Sequence, residues 1–310
     1  MSATTNRPLK VGLYINVAER MLEDGRSPGW TDIRDMARRA EQVGFDSVWI
    51  PDHLVFRMPE SQPESFWECG TTLAALAAST SRVTLGTLVV ATSFRNPALL
   101  AKMADTVDEI SDGRLILGLG AGYHDPEYTA FGYPTDHRYS RFKEALEIVH
   151  GLLRNGAIDY QGRYYEARDC ELRPRGPHPQ GPPLMIGTQG AKMLELTARY
   201  ADIWNGWLAP LTSKPDDYLP MRTKVDAACS DAGRDPATLT RTVSLLVNMR
   251  GKTDVHVARL GTPLTGSTEE IAATLREFAG LGVEHVQVWL YPGSVAHIEA
   301  FAPVLELLDQ

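Results

Sequence analysis

The feature that most restricts the fold of this chain is a regular alternation of short apolar runs with longer amphipathic stretches along its 310 residues. Eight apolar runs rich in β-branched residues predict strands, at residues 9–15, 47–50, 83–90, 115–119, 184–186, 202–204, 240–247 and 285–290. Eight amphipathic segments predict helices, at residues 31–43, 66–79, 97–110, 139–153, 191–200, 216–232, 268–280 and 295–308. Because fully apolar strands are buried on both faces, this pattern predicts a parallel sheet covered by helices.

Eight β–α repeats without a break in composition fit one closed (β/α)8 barrel, the TIM-barrel architecture, which takes about 250 residues plus insertions. The alternative is a doubly wound sheet, which usually has fewer strands and often a second domain. We therefore expect one domain over residues 1–310. A hairpin is predicted at 160–167 and an extended loop at the Pro- and Gly-rich stretch 173–183, so the main insertion follows the fourth strand and helix.

Composition excludes several classes of function. The net charge is −8, whereas nucleic-acid sites cluster Lys and Arg, so no nucleic-acid partner is expected. No stretch approaches the roughly 20 apolar residues of a membrane span. The polar start at 1–10 lacks a secretory signal, and three widely spaced cysteines suggest neither disulfides nor a metal site, which together predict a cytoplasmic protein. Metalloprotease and serine-hydrolase motifs are missing, so no metal is expected.

In barrel enzymes the active site forms from the loops that follow the strands, so the polar residues at strand ends are the candidates. Asp52 and His53 follow the second strand, and His124 stands beside Asp125 after the fourth. Each histidine is either structural or a hydrogen-bond donor and general acid. A carboxylate pair such as Asp52 and Glu127 could also serve a glycosidase, although nothing in the spacing selects that chemistry. Trp204, Trp207 and Trp289 lie near strand ends and could wall an aromatic pocket, or could simply belong to the core.

Two glycine-rich turns are candidate ligand contacts. The turn at 118–122 has the spacing GxGxG rather than GxGxxG, and the next predicted helix starts some 15 residues later, which disfavours a dinucleotide fingerprint. Its glycines instead indicate backbone that a planar ligand can approach closely. The turn at 187–190 runs directly into a helix whose first turn contains Lys192. Free N–H groups and the helix dipole make that turn either a phosphate site or an ordinary strand-to-helix connection.

Read together, these segments resemble the bacterial luciferase-like superfamily of flavin- and coenzyme F420-dependent oxidoreductases over essentially the whole chain. The motifs that carry the resemblance are the residues at 44–49 (GFDSVW), 52–53 (DH), 85–87, 95–97 (RNP), 111–114 (SDGR), 122–123 with 127, 131–132, 186–187 and 198–205. Each motif alone is weak, whereas the set spread over 300 residues is specific.

The resemblance implies where the cofactor lies. A non-prolyl cis peptide is expected at Thr87–Leu88 or a neighbouring bond, with its bulge behind the ring of the cofactor. The phosphate is assigned to the turn formed by Gly187, Thr188, Gln189 and Gly190. The ring is bordered by Asp52, His53, Gly120, Ala121 and Gly122.

One position departs from a branch of that family. The sugar-phosphate dehydrogenases have an acidic proton donor where this chain has Tyr123, so their substrate is not carried over. Tyr123 and His124 are alternative proton donors or plain wall residues, and His53 is the first candidate to contact the substrate.

The resemblance implies an oxidoreductase that transfers hydride between reduced coenzyme F420 and a small organic substrate. The alternatives are a two-component monooxygenase that uses FMNH2, oxygen and a partner flavin reductase, and a non-catalytic flavin-binding protein. Arg57, Arg95 and Lys192 could receive the acidic tail of F420. Family habit also implies a homodimer.

Overall fold

Eight parallel strands close into a barrel in the computed structural model, which describes residues 7–59, 62–249 and 261–310. The strands are β1 (Lys10–Tyr14), β2 (Ser47–Ile50), β3 (Thr84–Thr87), β4 (Leu115–Gly120), β5 (Leu184–Gly187), β6 (Ile203–Trp207), β7 (Thr240–Val247) and β8 (His285–Leu290). Each strand pairs in parallel with the next, and β8 pairs with β1 to close the ring. The predicted (β/α)8 barrel is therefore confirmed.

Apart from α4, the helices in the described part of the chain agree closely with the predicted segments. They are α1 (Trp30–Val43), α2 (Cys69–Ser79), α3 (Pro97–Ile110), α4 (Asp125–Phe131), α5 (Arg138–Asn155), α6 (Ala191–Tyr200), α7 (Pro215–Asp231), α8 (Thr268–Gly280) and α9 (Val295–Leu308). The predicted insertion is a two-stranded antiparallel hairpin between α5 and β5, formed by Ala157–Gln161 and Glu166–Glu171. Within the described residues, every helix is too short or too polar to span a bilayer.

Local signals explain where several helices begin and end. Ser267 accepts a hydrogen bond from the Glu270 N–H while the Glu270 carboxylate accepts from the Ser267 N–H, a reciprocal cap that starts α8. Gly44 ends α1 with a φ of 101°, a conformation that a side chain would oppose. Glu68 accepts from the N–H groups of Gly70 and Thr71, so α2 begins at residue 69, three residues later than predicted.

The third barrel strand is interrupted by a bulge, as the family resemblance implied. After β3 ends at residue 87, the chain pairs with β4 again only at Val90–Ala91. Gly86 lies opposite Ile116 and Val90 lies opposite Leu119, so the third strand holds one extra residue, a β-bulge. The non-prolyl cis peptide lies in this bulge at Leu88–Val89. The cis bond is thus the neighbour of Thr87–Leu88, within the positions that the resemblance implied.

Two small elements at the C-terminal mouth of the barrel were not predicted. A rim hairpin pairs Val55–Phe56 with Glu64–Ser65 in antiparallel fashion. Helix α4 follows β4 after only four residues and ends at Gly132, whose φ is 74°. Both elements are too short for periodicity to reveal them, and both carry residues that contact the candidate site.

Candidate active site

The side chain that best meets the requirements for chemistry is His53, directly after β2. Its Nδ1 lies 3.0 and 3.3 Å from the two carboxylate oxygens of Glu127 on α4. Glu127 is buried, and its Oε2 also accepts a hydrogen bond of 2.9 Å from the Leu54 N–H. Because the carboxylate acts as acceptor, Nδ1 carries the hydrogen, which leaves Nε2 of the 20% exposed His53 side chain to face a ligand.

An aromatic collar surrounds His53. The ring centroids of Phe56 and Phe66 each lie 5.3 Å from the His53 ring, and that of Tyr123 lies 5.6 Å away. Tyr123 is itself 65% exposed at the rim. Partial desolvation of its hydroxyl and the nearby Glu127 carboxylate raise the pKa of Tyr123 to about 12, so the phenol stays protonated at neutral pH.

His124 lies beside this collar but is used differently. Its Nε2 accepts a hydrogen bond of 2.9 Å from the Arg57 N–H, and its ring stacks on Phe56 at 4.1 Å between centroids. Burial lowers the pKa of His124 and the acceptor role requires the neutral ring. The geometry therefore makes His124 the anchor of the rim hairpin.

Asp52 holds the wall of the mouth together. Arg95 binds both of its carboxylate oxygens, at 2.7 and 2.9 Å, and the Ala91 N–H donates to Oδ2 at 3.0 Å. Arg95 also pairs with Glu68, the cap of α2. Burial raises the pKa of Glu68, but hydrogen bonds from Thr71 and Arg95 outweigh burial and lower it to about 2. Arg95 is fully engaged in this cluster, which removes it from the cations that a cofactor tail could bind.

The predicted cofactor contacts on β3, β4 and β5 lie side by side. Thr87 bonds through its hydroxyl to both the N–H and the carbonyl of Gly118, each at 2.8 Å. The Val89 side chain, in the bulge, fills the space next to Gly120 and Gly187. A β-carbon at these two glycines would lie 2.6 and 3.1 Å from Val89 methyl carbons. Contact with Val89 is thus one reason for glycine at both positions.

Gly122 is constrained from inside the protein as well. Its φ is 72°, and a β-carbon there would overlap the Tyr128 hydroxyl. That hydroxyl donates a hydrogen bond of 3.0 Å to the carbonyl oxygen of Ala121. The turn that follows β4 is therefore fixed by α4, which also carries Glu127.

The predicted phosphate turn leads into the N-terminus of α6. Gly190 is the N-cap residue, and no side chain caps this end. Residues 189–192 are exposed, the first turn has no acidic residue, and a β-carbon at Gly190 would meet nothing within 4 Å. The turn itself is held by hydrogen bonds from Trp204 Nε1 to Thr188 O and from Gln189 Nε2 to Trp207 O. Free N–H groups at an open helix N-terminus form a cradle for an anion.

Aromatic residues line the other side of the mouth. Tyr14, at the end of β1, lies 5.1 Å from Trp289 and 6.4 Å from Trp207, measured between ring centroids. Trp204 does not join them, because it packs outside the strands against Tyr218 of α7, 6.3 Å away. Two of the three predicted tryptophans therefore reach the mouth, together with a tyrosine that was not predicted.

The sequence reasoning missed the roles of Glu127 and Tyr14. Glu127 was part of a motif, but its bond to His53 joins residues 74 positions apart, which no local pattern reveals. Tyr14 could have been found, because side chains alternate along a strand and Gly12 faces the barrel interior beside Trp49. A residue two positions later, at the strand end, points into the mouth.

Comparison with known proteins places this geometry in a family. The sequence profile described as luciferase-like monooxygenase matches residues 10–257. The chain belongs to the luciferase-like monooxygenase family.

Three curated relatives of this family member differ in their named activities. A phthiodiolone/phenolphthiodiolone dimycocerosates ketoreductase of Mycobacterium tuberculosis is 30% identical over 259 residues, covering 76% of this chain and 66% of the ketoreductase. An F420-dependent glucose-6-phosphate dehydrogenase of Microbacterium testaceum is 30% identical over 254 residues, covering 78% of this chain and 72% of that protein. Pyrimidine monooxygenase RutA of Methylobacterium radiotolerans is 39% identical over 180 residues, which cover 54% of this chain and 46% of RutA.

Among solved structures, an F420-dependent secondary alcohol dehydrogenase in complex with an F420-acetone adduct superposes with a TM-score of 0.80. The match covers 97% of this chain and 99% of the dehydrogenase at 18% identity, so it shows the shared fold alone. The relatives named here thus include an F420-dependent dehydrogenase and a monooxygenase, and the chain spans 66% of the length of the ketoreductase.

Proposed function

We propose that this protein is an F420-dependent oxidoreductase that transfers hydride between the reduced deazaflavin and a small organic substrate at the mouth of the barrel. The observation that carries the proposal is the His53–Glu127 pair, in which a buried carboxylate fixes Nδ1 while Nε2 of the 20% exposed His53 side chain has no partner among the described residues. A monooxygenase or a hydride-transferring enzyme can use such a group, so the choice of cofactor needs separate support.

The mouth fits a cofactor with a flat ring and a phosphate. The open N-terminus of α6 offers N–H groups at an uncapped helix end, and Lys192 in its first turn adds a positive charge. The β3 bulge places the Val89 side chain beside Gly120 and Gly187, two positions that have no side chain of their own. When bound, the deazaflavin would supply hydride from C5 of its ring. A relative that is 30% identical to this chain, over an alignment that covers 78% of it, is named as F420-dependent, which supports F420 over FMN.

The residues then divide the remaining work. With Nδ1 bonded to Glu127, His53 can donate from Nε2 to a substrate oxygen when protonated, and can accept from a substrate hydroxyl when neutral. In the reducing direction the substrate carbon gains the hydride and the substrate oxygen gains one proton from His53, which solvent restores. Glu127 orients the ring and stabilises the imidazolium that forms. Tyr123, open to solvent at the rim, is the second candidate donor, and His124 is the third.

The alternative is an FMNH2-dependent monooxygenase that receives its reduced flavin from a partner reductase. The relative RutA supports that reading, as does the family description. The acidic tail of F420 requires cations, and because Arg95 is bound to Asp52, the predicted cations that remain are Arg57 and Lys192, whose ammonium lies 5.6 Å from the Tyr139 ring centroid. The homodimer and the cytoplasmic location stay predictions.

Titration of the purified apo-protein with F420 and with FMN, each oxidised and reduced, tests the proposal. Cofactor fluorescence and absorbance report binding without any substrate. Micromolar affinity for F420 with weak binding of FMN is the expected result. Preference for FMNH2, with oxygen uptake on adding a flavin reductase, would establish the monooxygenase instead. Binding of neither cofactor would contradict both the proposal and the monooxygenase alternative.

A further inference from the structure

One side of the mouth is an aromatic layer, which we define as Tyr14, Trp207, Leu246, Trp289 and Tyr291, and Leu88 of the β3 bulge packs against it. Tyr14 belongs to β1 and Trp289 to β8, while Trp207 belongs to β6, so these rings come from strands other than those that carry the predicted cofactor contacts. Tyr14 points inward like Gly12 two residues earlier, whose missing β-carbon faces Trp49 inside the barrel.

Three hydrogen-bond donors of this layer are not used within the described part of the chain. The Tyr14 hydroxyl and the Nε1 atoms of Trp207 and Trp289 make no hydrogen bond to another described residue, and none of the three is a fully enclosed unpaired atom. By contrast, Trp49 and Trp204 bond their Nε1 atoms to Ser47 and to Thr188 O. Tyr14 is 8% exposed. Because its hydroxyl is neither bonded nor fully enclosed, part of that exposed surface belongs to the hydroxyl, which can donate to a ligand at the mouth.

The charge of the layer limits what these donors can bind. Burial, together with the nearby Tyr123 and Cys69, raises the pKa of Tyr14, so its hydroxyl keeps its proton at any physiological pH. The layer has no cationic side chain to neutralise a carboxylate or phosphate. An uncharged ligand with an apolar body and an oxygen acceptor therefore suits it better than an ion does.

We propose that Tyr14 is a substrate-positioning residue whose hydroxyl donates a hydrogen bond to the carbonyl oxygen of an uncharged ketone seated on the aromatic layer. The inference rests on the proposed function, which supplies the reaction. In that reaction the carbonyl carbon receives the hydride and the carbonyl oxygen receives a proton, which gives the secondary alcohol. The ketone is held from the Tyr14 side by a group that never loses its proton, and His53 remains the group that exchanges one.

The test compares two ligands of nearly the same shape on the apo-protein, with cyclohexanone as the acceptor and methylenecyclohexane as the isostere without one. Ligand-observed saturation-transfer NMR measures both affinities without cofactor or turnover. Tyr14→Phe removes only the hydroxyl, and Tyr218→Phe is the matched control, because that buried hydroxyl lies on α7 and has no hydrogen-bond partner among the described residues.

In the wild type, cyclohexanone is expected to bind more tightly than methylenecyclohexane. Tyr14→Phe should weaken cyclohexanone binding roughly three- to tenfold, the effect of one hydrogen bond, and leave methylenecyclohexane unchanged. Tyr218→Phe should change neither affinity. Equal losses for both ligands, or no loss for cyclohexanone, would overturn the inference.

A parallel F420 titration separates this inference from the proposed function. If F420 fails to bind while the ligand preference depends on Tyr14, the proposed function fails and the ketone site stands. If F420 binds equally to wild type and Tyr14→Phe but the ligand preference is missing, the proposed function stands and the ketone site fails.

Discussion

The two sides of the barrel mouth are built by different means. On the side of β3, β4 and β5, the side chains are engaged within the protein: Thr87 bonds to Gly118, and Val89 fills the space that Gly120 and Gly187 leave. What this side offers to a ligand is backbone. On the side of β1, β6 and β8, the backbone is paired in the sheet and the aromatic side chains carry unused donors.

This difference suggests a division of labour. A backbone surface recognises what is common to every turnover, namely a flat ring and a phosphate, and it changes little when side chains change. A surface of side chains can be altered residue by residue, and thus sets which substrate is accepted. His53 lies at the boundary between the two sides, because it follows β2, which pairs with β1 on one side and with β3 on the other. From that position it can contact ligands on both sides.

The largest expected effect comes from the boundary residue. Asparagine at position 53 can still donate to Glu127 where Nδ1 did, but it has no atom at Nε2. Turnover by His53→Asn should therefore fall roughly 10²- to 10⁴-fold, the usual contribution of a general acid or base, while F420 affinity stays unchanged. Steady-state kinetics and fluorescence titration measure the two quantities. Unchanged turnover would remove His53 from the mechanism.

The second effect concerns the stability of the backbone side. Gly122→Ala should destabilise the protein by about 3 kcal/mol, because a left-handed alanine costs about 1–2 kcal/mol and the Tyr128–Ala121 hydrogen bond is also displaced. Gly132→Ala is the matched control, since its φ of 74° is nearly the same but its surroundings are open. Gly132→Ala should therefore lower the free energy of unfolding only by the cost of the left-handed alanine, about 1–2 kcal/mol. Chemical denaturation measures both, and equal losses would show that contact with Tyr128 contributes nothing.

The sequence predicted the barrel well because buried parallel strands and amphipathic helices leave periodic patterns that span many residues. Strand β7 and helices α3, α6, α8 and α9 have the predicted bounds. The site was harder to predict because it depends on contacts between distant segments. His53 was a candidate from its place after a strand, but only the fold shows that Glu127 holds it and that Arg57 holds His124. The glycines were recognised as close contacts, whereas their neighbour, Val89, could not be read from spacing.

The third prediction tests the proposed phosphate site at the N-terminus of α6 by measuring both protein stability and F420 affinity. Aspartate is a favourable N-cap residue, so Gly190→Asp should leave α6 as stable as before or more so, while its charge repels an incoming phosphate. F420 affinity should fall about tenfold, the loss of roughly 1.4 kcal/mol of electrostatic interaction. Gly190→Asn, also a good cap but neutral, should bind F420 nearly as the wild type does. Equal affinities for the two variants would place the phosphate elsewhere.

The smallest effect distinguishes the two histidines of the mouth. Burial lowers the pKa of His124 below its value in the unfolded chain, so the neutral ring is favoured by folding. Its contribution to stability is complete above the unfolded pKa of about 6.5 and is lost as the pH falls through the folded pKa. Glutamine can accept the Arg57 N–H without titrating, so His124→Gln should be less sensitive to acid than the wild type.

The comparison needs only denaturation curves at several pH values, and turnover provides the second readout. Burial lowers the pKa of His285 to about 3. Because His285 is present in both proteins, its effect on the pH dependence of stability is the same in each and does not affect their difference. Turnover by His124→Gln should stay within about twofold of the wild type, as for a residue that anchors a hairpin and exchanges no proton. A loss comparable to that of His53→Asn would instead make His124 the proton donor, and the chemistry would then belong to the β4 side of the mouth rather than to its boundary.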